Sequence, residues 1–194
     1  MTKKGFIFDL DGVIVDTAKY HYLAWKKLAN SIGIDFSQEQ NEHLKGISRV
    51  RSLEKILEWG NITLLEDEFL QLMNKKNIDY LNYIDEMDDN EILPDVSRIL
   101  DYLIEQEQPI ALGSASKNAR VILERVKLIE KFDTIVDGND VSKAKPNPEV
   151  FLNAANSLQM HAVNCVVFED SVAGIQAANT ANMISIGIGK ESIL

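Results

Sequence analysis

Five short apolar runs punctuate the chain: "GFIFDL" from residue 5, "PIALGS" from 109, "TIVDG" from 134, "CVVFED" from 165 and "ISIGIG" from 184. Runs of this length predict strands buried on both faces, the usual state of strands in a parallel sheet. Between them lie patterns of helical period: "DVSRILDYLIEQ", "NARVILERVKLI", "NPEVFLNAANSL" and "SVAGIQAANTAN". Asn118, Asn147 and Ser171 stand where N-caps belong. Strand and helix in alternation predict an α/β fold built on a doubly wound parallel sheet.

One interval breaks the alternation. From about residue 18 to residue 88 no strand pattern occurs. "AKYHYLAWKKLANSI" sets Tyr20, Leu23, Ala24, Lys27, Leu28 and Ile32 at helical spacing. "SRVRSLEKILEWG" offers Ser48 as an N-cap and Gly60 as a stop. "LLEDEFLQLMNKKNIDYLNYIDEM" reads as one long helix or two. Residues 17–87 are therefore expected to form a helical module inserted into a sheet domain made of 1–16 and 88–194. The acidic "DEMDDNE" (85–91) reads as its exposed return linker.

Composition narrows the function. The 194 residues are 45% hydrophobic and 26% charged, the balance of a soluble globular protein, with a formal net charge of -10. A diffuse acidic surface repels nucleic acid and anionic membranes. Basic and acidic residues balance between 18 and 80, so the excess negative charge belongs to the sheet domain. The single cysteine, Cys165, lies in an apolar run and reads as a small buried residue. No stretch approaches the ~20 apolar residues of a membrane span, and the N-terminal lysines with their short apolar run do not make a signal peptide. A cytoplasmic, reducing setting is expected.

The chemistry lies where the strands end. In doubly wound sheets, ligands bind beyond the carboxyl ends of the strands, near the point where the strand order reverses. "GFIFDLDGVIVDT" drops Asp9, Asp11 and Asp16 at the end of the first run. "IALGSAS" ends in Ser114 and Ser116, "TIVDG" leads to Lys143 and Lys145, and "VVFED" ends in Glu169 and Asp170. A lone aspartate here would be an ordinary solvated loop residue. Acids ending two strands, with Lys145 after a third, are a cluster. Two like charges about 4 Å apart repel by about 4 kcal/mol at an effective dielectric near 20. A hard divalent cation with oxygen ligands relieves this, and Mg2+ suits such a site. Asp9 is then a carboxylate nucleophile that needs no activating base. Asp11 is placed as general acid and base. Ser114 and Lys145 can bind the phosphoryl oxygens where charge gathers.

"DLDGVIVDT", "GSAS", "KAKPNP" and "FEDSVAGIQAA" resemble, in order and spacing, the four signature segments of the haloacid dehalogenase superfamily. Over most of the chain, "FDLDGVIVDTAKYHYLAWKKLA", "LKGISRVRSLEKIL", "KKN" and "IALGSASKN" further resemble that superfamily's mutases of β-glucose phosphates. The resemblance implies a helical cap and a reaction between β-glucose 1-phosphate and glucose 6-phosphate. That reaction runs through an aspartyl phosphate and β-glucose 1,6-bisphosphate. It implies Mg2+ at Asp9, Asp11, Glu169 and Asp170, with Ser114, Ala115 and Lys145 around the reacting phosphate. Arg49, Ser116, Lys117 and Asn118 would grip the distal phosphate, and Lys45, Gly46 and Ser52 the sugar. His21 and Lys76 would contact or position Asp11, Thr17 would sit at the hinge, and Trp25 would line the cap. Taken alone, His21 reads as a structural helical residue, Trp25 as cap core, and Arg49 and Arg51 as surface charges. The resemblance also implies a further strand and helix after "GIGKESIL", where this sequence stops. A monomer acting on a small sugar phosphate is expected. A phosphatase with the same core, using water as acceptor, is the alternative.

Overall fold

The computed structural model describes residues 3–45 and 47–189. Each apolar run forms a strand: β1 (Gly5–Phe8), β2 (Ile110–Gly113), β3 (Thr134–Val136), β4 (Cys165–Glu169) and β5 (Ile184–Gly187). They pair in the order β3-β2-β1-β4-β5, every pair parallel. The chain steps outward from β1 to β3 and then crosses back to β4 on the other side of β1. The order thus reverses between β1 and β4, and all five strands deliver their ends to one edge.

The pleat divides the sheet's side chains between two cores. Phe8, Ile110 and Leu112 join Leu100 of α5 (Val96–Glu105) and Ile122 and Leu123 of α6 (Ala119–Arg125). Ile7, Ala111 and Val167 turn the other way, onto Val150, Phe151 and Ala154 of α7 (Glu149–Ser157) and Ala177 and Ala178 of α8 (Val172–Thr180). This is the period of two that places successive side chains on opposite faces. Cys165 is fully buried in the second core. β5 departs from the expected two-sided burial. It has one neighbour, and Ile184 and Ile186 are exposed.

Residues 18–84 carry four helices: α1 (Ala18–Ser31), α2 (Gln38–Glu42), α3 (Arg49–Gly60) and α4 (Glu66–Ile84). Trp25, Leu28, Ala29, Phe36, Leu53, Ile56 and Leu57 form an apolar cluster of their own here. The feet of α1 and α4 behave differently, since Ala24, Tyr80 and Ile84 pack into the sheet's first core. Ser48 caps α3, its side chain accepting from the Arg51 N–H, and Ser171 caps α8 likewise from the Gly174 N–H. Gly60 is not the stop expected of it. It is the last helical residue, and Asn61 takes the left-handed conformation at φ 51° that ends the helix. Asn147 lies one residue before the N-cap of α7, and its side chain accepts from the Glu149 N–H. The long segment after residue 64 is a single helix, and α2, opened by a capping box of Ser37 and Gln40, has no counterpart in the apolar pattern. Within the acidic return segment Met87 is buried, so that segment is anchored to the core. Among the described residues no helix is long and apolar enough to cross a membrane.

Candidate active site

The site begins one residue beyond β1. The Asp9 N–H donates to the Phe168 carbonyl of β4 at 3.0 Å, which carries the nearly buried Asp9 to the reversal point. The following turn closes with the Gly12 N–H on the Val15 carbonyl at 2.8 Å. Gly12 has φ +80°, and a side chain there would run into the Asp170 carboxylate. The aspartates on either side of Gly12 are thereby brought back toward the strand ends, and the Thr17 hydroxyl donates to Asp11.

Lys145 reaches into the strand ends from the loop after β3. Its buried ammonium donates to Asp9 Oδ1 at 2.7 Å and Glu169 Oε1 at 2.6 Å, above the Phe151 ring. The other Glu169 oxygen accepts from the Ser171 N–H at 2.6 Å and the Ser171 hydroxyl at 2.9 Å. Gly174 on α8 leaves the space that the Glu169 carboxyl fills. Asp9, Glu169 and Asp170 can each offer one oxygen within 4.8 Å of the others. The Asp11 carboxylate stands outside that group, turned to Thr17.

Charge is out of balance at this end. Burial pushes the Asp9 carboxyl well above its usual range. Lys145 pulls it back, while Glu169, Asp11 and Asp170 push it further up. Burial and the Glu169 charge raise Asp170 to about 6. Burial also raises Asp11, against the Thr17 hydrogen bond. For Lys145, burial opposes the charge, but the Asp9 and Glu169 carboxylates outweigh it and hold the group protonated. Four carboxylates thus face the buried Lys145 ammonium, with the half-exposed Lys45 ammonium 3.7 Å from Asp170. A hard divalent cation fits this all-oxygen donor set and would relieve the crowding.

A cavity of about 400 Å³ extends from these carboxylates toward α1–α4. Its lining includes the expected Asp9, Asp11, Thr17, His21, Trp25, Lys45, Arg49, Ser52, Lys76, Ala115, Ser116, Lys117, Asn118, Lys145 and Asp170. Ser114 and Glu169 lie buried behind its wall. Gly46 falls outside the described residues. Asp16 and Lys143, placed at strand ends by the sequence but given no role, also line the cavity, as do Asn41, Leu44, Ile47, Met73 and Ser142, which were not anticipated. Asn41 sits on α2, whose five residues give no hydrophobic period. The Ser37–Gln40 capping box was the one legible sign of that helix.

Residues 18–84 give the cavity wall Lys45, Arg49 and Lys76. Burial lowers the Arg49 guanidinium, and among the described residues no carboxylate lies within ion-pair distance of it. In the loop after β2, Ser114 Oγ accepts from the Ser116 N–H at 3.1 Å and Ser116 Oγ from the Asn118 N–H at 3.2 Å. These two turns wrap the loop around the cavity end. Lys45 bridges Glu42 at 3.0 Å and Asp170 at 3.7 Å. Lys76 is fully buried between the rings of Trp25 and Tyr80, 4.7 and 4.4 Å from their centroids, and its Nζ shares a hydrogen bond with His21 Nδ1 at 3.1 Å. Burial and the neighbouring Arg49 push the Lys76 ammonium well below its usual range. Burial, Lys76 and Arg49 do the same to His21, so the imidazole is neutral and can accept. Tyr80 was not anticipated. Its buried hydroxyl has no partner within full hydrogen-bond geometry among the described residues, and its ring centroid lies 4.3 Å from that of His21.

The chain belongs to the haloacid dehalogenase-like hydrolase family, whose pattern it matches over residues 6–188. Within that family it is similar to the β-phosphoglucomutase of Bacillus subtilis, 44% identical over 96% of this chain and 84% of that protein. The crystal structure of a β-phosphoglucomutase from Clostridium difficile superposes with a TM-score of 0.94 at 46% identity, covering 98% of this chain and 86% of that one. A fructose-1-phosphate phosphatase of Escherichia coli is 30% identical over 95% of both chains.

Proposed function

We propose that this chain interconverts β-glucose 1-phosphate and glucose 6-phosphate, with Mg2+ as cofactor and residues 17–87 as a cap over the cavity. One observation carries the reading: a single cavity is lined by two sets of groups suited to anions. One is Lys145 with the cation-seeking carboxylate cluster, and the other is Arg49 with Ser116, Lys117 and Asn118. A phosphatase needs the first set alone. A sugar bisphosphate needs both.

In this reading the 6-hydroxyl of β-glucose 1-phosphate gives its proton to Asp11 and attacks the phosphoryl group on Asp9, freeing the Asp9 carboxylate. The bisphosphate then turns end for end. Asp9 attacks the phosphorus at C1, and Asp11 returns the proton to the departing C1 oxygen, leaving glucose 6-phosphate and the phosphorylated Asp9. The Asp11 carboxyl, raised by burial, suits a group that must both hold and release a proton. Thr17 occupies one Asp11 oxygen and leaves the other for the sugar hydroxyl. Mg2+ bound by Asp9, Glu169 and Asp170, with Asp11 alongside, would screen the nucleophile from the phosphate it attacks. The neutral His21, fixed by Lys76, positions Asp11, and Lys45 and Ser52 meet the sugar. Arg49 is suited to the distal phosphate by its rigid fork of donors. The closed cap keeps water from the aspartyl phosphate.

The test is a coupled assay on separated α and β anomers, with Mg2+ and a catalytic amount of glucose 1,6-bisphosphate. The β anomer should yield glucose 6-phosphate and the α anomer none. Arg49→Ala should cut turnover about tenfold to a hundredfold, the range of a lost charged hydrogen bond. The same change should leave hydrolysis of the phosphoenzyme nearly unaltered. Release of free phosphate alone would assign the chain to the phosphatases.

A further inference from the structure

Glu149 is the first residue of α7, and the mechanism above gives it no task. Its carboxylate turns back onto the loop that carries Lys145. Oε1 accepts from the Ser142 N–H at 2.9 Å. Oε2 accepts from the Ser142 hydroxyl at 3.0 Å and from the Lys143 N–H at 2.8 Å. Among the described residues, Ser142 and Lys143 are the only members of 141–146 whose backbone N–H finds an acceptor, and both find Glu149. The start of the loop is held elsewhere, where the Gly138 N–H donates to the Ser116 carbonyl at 3.1 Å.

Lys145 lies between the two residues that Glu149 fastens and Glu149 itself. With Ser142 and Lys143 tied to the head of α7, residues 144–148 form a short closed loop with Lys145 near its tip. The Asn147 N–H tightens that loop on the Ala144 carbonyl at 3.0 Å. Fixing a residue costs less conformational entropy in a short closed loop than in a long open one. The Ser142 N–H holds the Glu149 carboxyl below its usual range, so its hydrogen bonds are of the stronger, charge-assisted kind. Two residues further along α7, the Phe151 ring lies 4.7 Å from Lys145 Nζ. One helix thus holds Lys145 twice, at its loop through Glu149 and at its ammonium through Phe151.

We propose that Glu149 is a positioning residue: it clasps the loop of 142–145 to α7 and so places the Lys145 ammonium for the phosphoryl group that Asp9 accepts. The inference rests on the reading that Lys145 binds that group. Glu149 itself does not line the cavity and acts only through the loop.

The experiment is a double-mutant cycle of Glu149→Ala and Lys145→Met in the full chain. The readout is the initial rate at which acetyl phosphate, with saturating Mg2+, phosphorylates the protein, followed by the mass of quenched samples. In that step Asp9 attacks the phosphorus and acetate departs. K145M should slow it at least about a hundredfold, the scale of one lost donor to a developing charge. E149A should slow it about tenfold, the scale of one lost charged hydrogen bond. In the K145M background E149A should add nothing. E149Q, which keeps one uncharged acceptor, should fall between E149A and the unsubstituted protein, and it takes the place of E149A in the cycle if E149A does not fold. A slowed K145M beside an unaltered E149A overturns the inference and leaves the reading of Lys145 standing. An unaltered K145M overturns that reading and the inference with it. The same loss from E149A with and without Lys145 assigns Glu149 to the fold alone and overturns the inference.

Discussion

The Asp170 carboxyl, raised to about 6, titrates within reach of ordinary buffers. Its folded value lies above the ordinary 3.8 because it is buried beside Glu169. The folded state therefore binds this proton more tightly than the unfolded state does. The stability it contributes is complete below about pH 4 and is lost as the pH rises through about 6. Metal-stripped protein should lose up to about 3 kcal/mol from this group across that window. Urea titrations at pH 4.5 and pH 7, with and without Asp170→Asn, check it. The substitution should flatten the slope, and saturating Mg2+ should stabilise the unsubstituted protein most at pH 7. An unaltered slope in D170N would place the proton elsewhere. At this level much of the site was legible, because Asp9, Asp11, Glu169 and Asp170 each interrupt or end an apolar run, where a carboxylate is costly without a partner. Tyr80 was not legible. It lies on one long helix whose period records burial and not which buried atom faces another segment.

Among the elements, α8 depends on the site as much as the site depends on it. Alanine for glycine within a helix ordinarily stabilises by about 1 kcal/mol. Gly174→Ala should do the reverse, since the added methyl group enters the space of the Glu169 carboxyl. Glu169 would have to leave Lys145 and the Ser171 cap. Thermal unfolding should show a fall in Tm, and calorimetry a loss of Mg2+ affinity of at least about tenfold, the scale of one lost charged hydrogen bond. A Tm at or above that of the unsubstituted protein would mean that Glu169 is not locked as described. The strands were read correctly from their short apolar runs, since burial on both faces leaves no other pattern. β5 is the exception in burial, because a run of apolar residues does not reveal that a strand has one neighbour. α2 escaped notice because a five-residue helix has no period to detect, and Gly60 misled because Asn61 supplies the left-handed turn that glycine usually does.

Taken together, the fold brings carboxylates and cations to the wall of one cavity. The parallel sheet gathers acids from β1 and β4 with Lys145 from beyond β3. The helices of 18–84 bring Arg49 and Lys76 to face them, through feet that share the sheet's core. That arrangement accounts for an acidic chain that handles phosphate: although the net charge is -10, Lys45, Arg49, Lys76, Lys117, Lys143 and Lys145 line this one cavity. The claim beneath all of this is that Asp9 accepts a phosphoryl group and returns it to sugar. The direct measurement is to incubate the protein with β-glucose 1,6-bisphosphate and Mg2+, quench, and locate the added mass by peptide mapping, before and after a chase with β-glucose 1-phosphate. One phosphoryl group should appear on the peptide carrying Asp9, be absent from Asp9→Asn, and leave on the sugar during the chase. A phosphoryl group on another residue, or its release as free phosphate with the sugar present, would contradict the account.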